Sequence, residues 1–211
     1  MTRLYQFFEN LSRGFRKSVD KFQVLIYNNV MMEKTIKQRI TSSAKSFRLP
    51  RYSQIPNVGL YLEQVVKYIN EFLEPINCAE ITASMISNYV KHGIIPSPHK
   101  KQYDADRIVY LIFIAIAKNA LSLENIVELF DMQREGYSLE IAYDYFCCEF
   151  ENVVGYVFGV KEEFEQNIGV TQYTEQKELL RNVIISVSHS LYANAYFDEI
   201  KRRWGGSDND Q

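Results

Sequence analysis

The sequence predicts a mainly α-helical protein, and three observations lead to that prediction. Helix-forming residues dominate, and only 9 glycines and 5 prolines interrupt the 211 residues. The apolar fraction of 46% and the aromatic fraction of 14% indicate a folded core. Several segments also repeat apolar residues at helical spacing between capping residues and helix-stopping glycines or prolines.

The most informative stretch is residues 81–130, where the helix signals are densest. Residues 84–92 predict a short helix, capped by Thr82 or Ser84 and stopped by Gly93 in the left-handed conformation. Its apolar residues would form a buried stripe: Met85, Ile86, Tyr89 and Val90. The polar residues between them would then face outward: Ser84, Ser87, Asn88 and Lys91. An outward face of this kind can enter a DNA major groove, although ordinary surface residues look the same.

A loop with two prolines and two lysines, PSPHKKQ, follows this helix. Its basic residues are His99, Lys100 and Lys101, and adjacent lysines on a rigid loop are well placed to contact phosphates. Two further helices then begin, capped by Asp104 and Ser122. This order of elements is typical of a helix-turn-helix followed by a wing. DNA binding is therefore the leading hypothesis.

These residues resemble a known family of regulators. The string ITASMISNYVKHGII, followed by QYDADRI and ALSLENIVELF, is similar to the DNA-binding domain of MerR-type transcriptional regulators. The resemblance implies a recognition-helix role for Tyr89 and assigns Tyr103 to the position before the third helix. MerR-type recognition helices typically carry arginines where this chain has Ser84 and Ser87. The wing between Ile95 and Tyr103 also looks too short for a full β-hairpin.

A longer segment resembles a second family more closely. Residues 49–155, from LPRYSQIPNVGLYLEQVVKYINEFLEP through SLEIAYDYFCCEFE, are similar to the bacterial domain of unknown function 1836 family. Its members are usually treated as candidate regulators. Within this segment a helix is predicted from Val58, capped by Asn57 and ending before Pro75. The resemblance supports a fold and implies no particular ligand.

The chain is predicted to have four parts. Residues 1–48 form a basic extension that is partly helical or flexible, and we favour a solvated leader over an arm that follows phosphates. Residues 49–135 form the MerR-like module with its shortened wing. Residues 136–204 form an aromatic-rich helical part, and residues 205–211 form a disordered tail.

Charge is segregated along the chain, although the net charge is only −2. Residues 1–51 hold 11 Lys and Arg against 3 Asp and Glu, whereas residues 121–170 hold 2 against 11. A nucleic-acid face backed by a separate regulatory part would show this distribution. Attraction between two ends of one chain would produce it equally well. Both interpretations stay open.

The carboxy-terminal part combines aromatic and acidic residues. Tyrosines and phenylalanines between residues 137 and 158 would suit a ligand pocket or a partner groove, but we favour packing against neighbouring helices. Adjacent Cys147 and Cys148 suit a soft metal, yet no third ligand lies nearby in the sequence, so no metal site is predicted. The last helix has an apolar stripe suited to core packing and to self-association.

The sequence favours a regulator over an enzyme. It offers no phosphate-binding glycine loop, no nucleophile with a nearby base and no recognisable carboxylate pair, so neither catalytic residues nor a cofactor are predicted. We expect a cytoplasmic homodimer that binds DNA and has no membrane segment, and the sequence identifies no small-molecule effector. The alternative is a protein-interaction adaptor that keeps the helix-turn-helix fold without binding DNA.

Overall fold

The computed structural model describes residues 23, 30–56, 58–164 and 174–205. The chain divides into two compact units, Met1–Arg39 and Ile40–Gln211. Helical backbone covers residues 30–44 and is called α1. Most of the predicted basic extension, the predicted cap Asn57 and the predicted tail beyond Gly205 lie outside the described residues.

The second unit is mainly helical, which confirms the predicted fold class at that level. After a 3₁₀ turn at Tyr52–Gln54, its elements are β1 (Leu60–Tyr61), α2 (Leu62–Leu73), a 3₁₀ turn at Glu74–Ile76, α3 (Ala83–Lys91), β2 (Gln102–Tyr103), α4 (Ala105–Ala117), α5 (Leu123–Gly136), α6 (Leu139–Val157) and α7 (Glu175–Gly205). No helix in the described ranges is both long and apolar enough to cross a membrane.

The helices begin where the capping residues predict. In each of four helices the side chain before the first turn accepts a hydrogen bond from a backbone N–H three residues later: Thr82 from Met85 at 3.3 Å, Asp104 from Arg107 at 3.1 Å, Ser122 from Asn125 at 3.2 Å and Ser138 from Ile141 at 3.4 Å. Each bond satisfies a donor that has no partner within the helix. Gly93, with a φ of 71°, follows α3 as predicted.

The start of α2 differs from the prediction. Leu60 and Tyr61 form β1 and pair antiparallel with Tyr103 and Gln102, so the helix begins at Leu62 rather than at Val58. The N–H of Tyr61 donates to Oε1 of Gln64 at 2.9 Å and takes the place of the predicted cap. A two-residue strand leaves no periodic pattern in the sequence. Its partner also lies about forty residues away.

α4 forms the centre of the second unit and packs against α2, α5 and α7. Eight of its residues are buried: Ile108, Val109, Leu111, Ile112, Ile114, Ala115, Ile116 and Ala117. The uninterrupted apolar run of this helix, Ile108 to Ala117, is too short to span a bilayer and is typical of a buried core helix, which is what the structure shows. Burying a large aliphatic side chain contributes about 1.5–3 kcal/mol, so α4 stabilises the unit more than any capping interaction does.

α7 packs along α6, and this contact uses the stripe that suggested self-association. The central residues of the stripe are buried: Val183, Ile184, Val187, Leu191 and Ala195. The stripe therefore belongs to the core of a single chain. The residues predicted as two parts, 49–135 and 136–204, share one compact unit because α7 also packs on α4.

The predicted boundary near residue 48 also differs from the structure. Phe47 is 2% exposed, and its ring meets that of Phe150 edge-on at 5.7 Å between centroids. The Thr41 hydroxyl donates to the carbonyl oxygen of Phe158 at 2.7 Å. Residues 40–48 thus belong to the core of the second unit and are not a solvated leader. Their apolar positions are too few to form a pattern.

An ion pair joins the basic start of this unit to the acidic helix α6. Arg51 donates to both carboxylate oxygens of Glu151, at 2.7 and 2.9 Å, and the N–H of Leu49 donates to the same carboxylate at 2.9 Å. The Glu151 side chain is 12% exposed and that of Arg51 is 30% exposed. Attraction within the chain thus accounts for part of the segregation of charge.

We predict that Glu151→Gln lowers the free energy of unfolding by about 1–3 kcal/mol, because one charge and one acceptor of a partly buried network are lost. Urea denaturation measures the change. Glu71→Gln is the matched control, since the Lys67–Glu71 pair spans 3.7 Å with side chains that are 79% and 62% exposed. The control should change stability by less than about 0.5 kcal/mol. Equal losses in the two variants would contradict this role for Glu151.

Candidate nucleic-acid interface

A polar clamp sets the turn between α2 and α3. The Asn70 side chain donates to the carbonyl oxygen of Ile81 at 3.1 Å and accepts from the N–H of Ile81 at 3.0 Å. Ile86, which is fully buried, then anchors α3. No local sequence pattern identifies Asn70, because an asparagine on an amphipathic helix looks like an ordinary surface residue. Its two bonds satisfy both backbone groups of Ile81 and fix where α3 begins.

The outward face of α3 is polar and exposed, as the helical spacing predicts. Ser84, Ser87, Asn88 and Lys91 are all exposed. The Ser87 hydroxyl donates to the carbonyl oxygen of Ala83 at 2.8 Å, so its own helix already uses that hydrogen bond. The amide of Asn88 and the ammonium of Lys91 are therefore the groups best suited to reach a ligand from this face.

The two tyrosines assigned by resemblance do not lie on the outward face. Tyr89 is 6% exposed and Tyr103 is 4% exposed. Burial raises the pKa of both hydroxyls. Tyr89 belongs to the buried stripe of α3, and Tyr103 lies in β2 opposite Leu60. Packing accounts for both positions, which corrects the expectation that Tyr89 would be presented to DNA.

The wing is short and ends in a two-residue turn closed by a single bridge. His99 and Gln102 form an antiparallel bridge, and the N–H of Gln102 donates to the carbonyl oxygen of His99 at 2.8 Å. Between them Lys100 and Lys101 have φ values of 49° and 66°. Positive φ at both central residues is typical of the tightest hairpin turns. The loop thus forms a tight turn closed by one isolated bridge and not a full β-hairpin, in agreement with the expectation that it is too short for one.

The lysine turn, residues 99–102, has an energetically unfavourable backbone conformation. Left-handed φ angles cost a residue with a side chain about 1–2 kcal/mol, and turns of this kind usually carry asparagine and glycine. Strain of this sort is concentrated at functional sites. On the other side of the turn Gly59 lets β1 approach, since a Cβ there would lie 2.7 Å from Cβ of Gln102.

Arg107 fixes the base of the wing. Its Nε donates to the carbonyl oxygens of Ser97 at 2.9 Å and Pro96 at 3.3 Å, and its guanidinium pairs with Asp104. Asp104 also caps α4, so the first turn of the buried helix and the wing are joined. Arg107 therefore stabilises the loop that precedes the lysine turn. No local sequence pattern identifies this role, because the carbonyl groups that Arg107 binds lie 11 and 10 residues earlier in the chain.

Three exposed lysines lie in α3 and in the turn that follows it: Lys91 on the outward face of α3, and Lys100 and Lys101 in the lysine turn. Within the described residues none of them forms an ion pair. Together with the exposed His99, they make this the basic part of the predicted module. Such groups can bind phosphate without first breaking a contact of their own.

The cysteines occupy different surroundings. Cys147 is fully buried, with its sulfur 3.8 Å from the carbonyl oxygen of Pro50, and burial raises the pKa of its thiol to about 12. Cys148 is half-buried. Among the described residues no group of three or more His, Cys, Asp or Glu is placed to hold a metal ion. The Cys147 thiol is a packed, neutral group.

These elements define a mainly helical protein in which a two-stranded ladder and a tight turn adjoin a short exposed helix. Residues 50–146 match a family model described as Domain of unknown function (DUF1836). The match supports the family resemblance predicted for residues 49–155. No curated protein matches the chain significantly, and no solved structure does.

We predict that Lys101→Gly maintains or raises the free energy of unfolding, by up to about 1 kcal/mol, because glycine adopts a positive φ without strain. Lys67→Gly, in the exposed middle of α2, should lower it by about 0.5–1 kcal/mol. Lys101→Ala removes the charge and keeps the strain, so it should have almost no effect. Thermal and urea unfolding measure the free energy of unfolding of the three variants. A loss in Lys101→Gly equal to that in Lys67→Gly would argue against a strained turn.

Proposed function

We propose that this protein is a MerR-like transcriptional regulator that binds duplex DNA through α3 and the lysine turn. The observation that best supports the proposal is the pair of exposed lysines, Lys100 and Lys101, held at positive φ on a tight turn anchored to α4. Both lysines are exposed, so core packing does not explain their conformation. The proposal assigns the strain to phosphate binding.

In this proposal α3 enters the major groove. Its nine residues span about 14 Å, which suits one groove crossing. The amide of Asn88 can both donate to and accept from the edge of an adenine, which is the pairing that asparagine makes best. Lys91 in the last turn would contact the backbone. Because Ser84 and Ser87 are short and uncharged, base contacts from this face are few.

The lysine turn supplies the phosphate contacts beside the groove. Each phosphate neutralised by a lysine makes the logarithm of the binding constant fall by about 0.9 per decade of salt. Three lysines therefore imply a salt dependence with a slope of about −2.7. That slope is shallow for a regulator, so the complex should be strong only at low ionic strength or on a preferred sequence.

The adaptor alternative is weaker on structural grounds. An adaptor would use the acidic, tyrosine-rich stretch of α6 as its working surface, and there Tyr143, Phe146 and Phe150 are buried whereas Tyr156 is 46% exposed. The predicted homodimer, which would read a partly palindromic site, stays a prediction. The apolar stripe of α7 no longer supports the homodimer prediction, because that stripe packs inside one chain.

The decisive variant is Lys100→Glu combined with Lys101→Glu. We expect it to weaken the binding of random-sequence duplexes at least about tenfold at low salt and to reduce the salt slope by about 2. Fluorescence anisotropy over a series of salt concentrations measures both. The matched control is Lys67→Glu with Lys201→Glu, which changes the net charge equally on α2 and α7, where the side chains are 79% and 76% exposed.

Two outcomes would refute the proposal. One is a wild-type chain that does not bind any duplex at low salt. The other is a control variant that loses as much affinity as the lysine-turn variant, because binding would then depend on overall charge alone. Sequencing of the duplexes that the protein selects from a random pool identifies the preferred DNA sequence. Asn88→Ala should then lose the base preference while keeping the salt slope.

A further inference from the structure

We infer that Tyr61 is a further DNA contact, and that its hydroxyl group donates a hydrogen bond to a backbone phosphate beside the lysine turn. The inference rests on the proposed function and extends the proposed interface from the lysine turn to strand β1. Because the tyrosine side chain is uncharged, this contact adds affinity without adding to the salt dependence of binding. That difference separates its role from the role of the lysines.

The β1–β2 ladder places Tyr61 on its outer face. Successive side chains of a strand point to opposite faces of a sheet, and directly opposed residues of two strands share a face. Leu60 pairs with Tyr103, which is 4% exposed, so this pair faces the core. Tyr61 pairs with Gln102 and therefore faces away from the core. Tyr61 is accordingly 55% exposed.

The register of the ladder brings Tyr61 next to the lysine turn. The Cβ atoms of directly opposed residues in an antiparallel pair lie about 4.5–5.5 Å apart. Gln102 ends the lysine turn, and Lys101 precedes it along the chain, about 3.8 Å away between Cα atoms. Tyr61 therefore borders the turn at Gln102. A duplex whose phosphates bind the two lysines would pass within reach of the tyrosine hydroxyl.

Backbone contacts hold Tyr61 in this position. Its N–H donates to Oε1 of Gln64 at 2.9 Å, at the start of α2. Its strand pairs with β2, and Gly59 permits that close approach, because a Cβ there would lie 2.7 Å from Cβ of Gln102. These contacts use the backbone of Tyr61. A substitution that changes only its side chain therefore leaves them in place.

The other exposed tyrosines of the described residues have aromatic or cationic neighbours. Tyr137 is 36% exposed, and Nζ of Lys177 lies 5.4 Å from the centroid of its ring. Tyr156 is 46% exposed, and its ring centroid lies 5.7 Å from that of Phe164. Tyr61 is more exposed than either, and within the described part of the chain its ring has no such neighbour. Tyrosine hydroxyls are among the groups that donate to DNA phosphates.

Fluorescence anisotropy of Tyr61→Phe with random-sequence duplexes tests the contact. The substitution removes only the hydroxyl group. We therefore expect binding about three- to tenfold weaker at every salt concentration, with the salt slope of the wild type. Tyr156→Phe is the matched control, since it removes a hydroxyl from an exposed tyrosine on α6, and it should bind DNA as the wild type does.

Tyr61→Ala provides a second measurement. It removes the ring together with the hydroxyl group, so it should weaken binding at least as much as Tyr61→Phe and again leave the salt slope unchanged. Circular dichroism and urea unfolding check that each variant is folded. If Tyr61→Ala does not fold, Tyr61→Phe still decides the question, because it keeps the ring and every backbone contact.

The outcomes separate this inference from the proposed function. If the wild type binds, the lysine-turn variant loses affinity and Tyr61→Phe binds as well as Tyr156→Phe, the inference is overturned and the proposed function stands. A wild-type chain that binds no duplex at low salt overturns both. A loss in Tyr61→Phe that comes with a shallower salt slope also overturns the inference, because it would indicate displaced lysines rather than a missing hydroxyl contact.

Discussion

The burial of α4 is the constraint on which the rest of the second unit depends. Almost all sides of this helix contact neighbours, so α2, α5 and α7 must each present an apolar face to it. Its first turn anchors the wing through Asp104 and Arg107. One rigid element thus supports the candidate interface. A change that shifts α4 would alter it.

The wing shows how a strained feature can persist. Two lysines at positive φ cost energy that the turn itself cannot recover. β1 pairs with β2, Gly59 permits that close approach, and Arg107 holds the preceding loop by two carbonyl oxygens. These contacts are made by residues far apart in the sequence, and together they over-determine the turn. The lysine ammonium groups are left exposed, which is the property that the proposed phosphate contacts require.

Much of the candidate site could be predicted from sequence, and each failure has a physical reason. Thr82, Asp104 and Gly93 act on neighbours within a few residues, so their roles follow from local stereochemistry. The outward face of α3 follows from helical spacing. Helical spacing placed Tyr89 in the buried stripe, where it lies, whereas the family resemblance implied a recognition role that its burial does not favour. Asn70 was missed because its partner, Ile81, lies on the next element.

The sequence by itself determined which segments are helical, where most helices begin and end, and that α4 is buried, because these properties depend on local backbone hydrogen bonds and on apolar periodicity. Only the tertiary structure decided the pairing of β1 with β2, the closed lysine turn, the Arg51–Glu151 pair and the exposed position of Tyr61 beside that turn. Each of these depends on residues distant in the chain. Their approach is set by how the helices pack, and no local pattern encodes it.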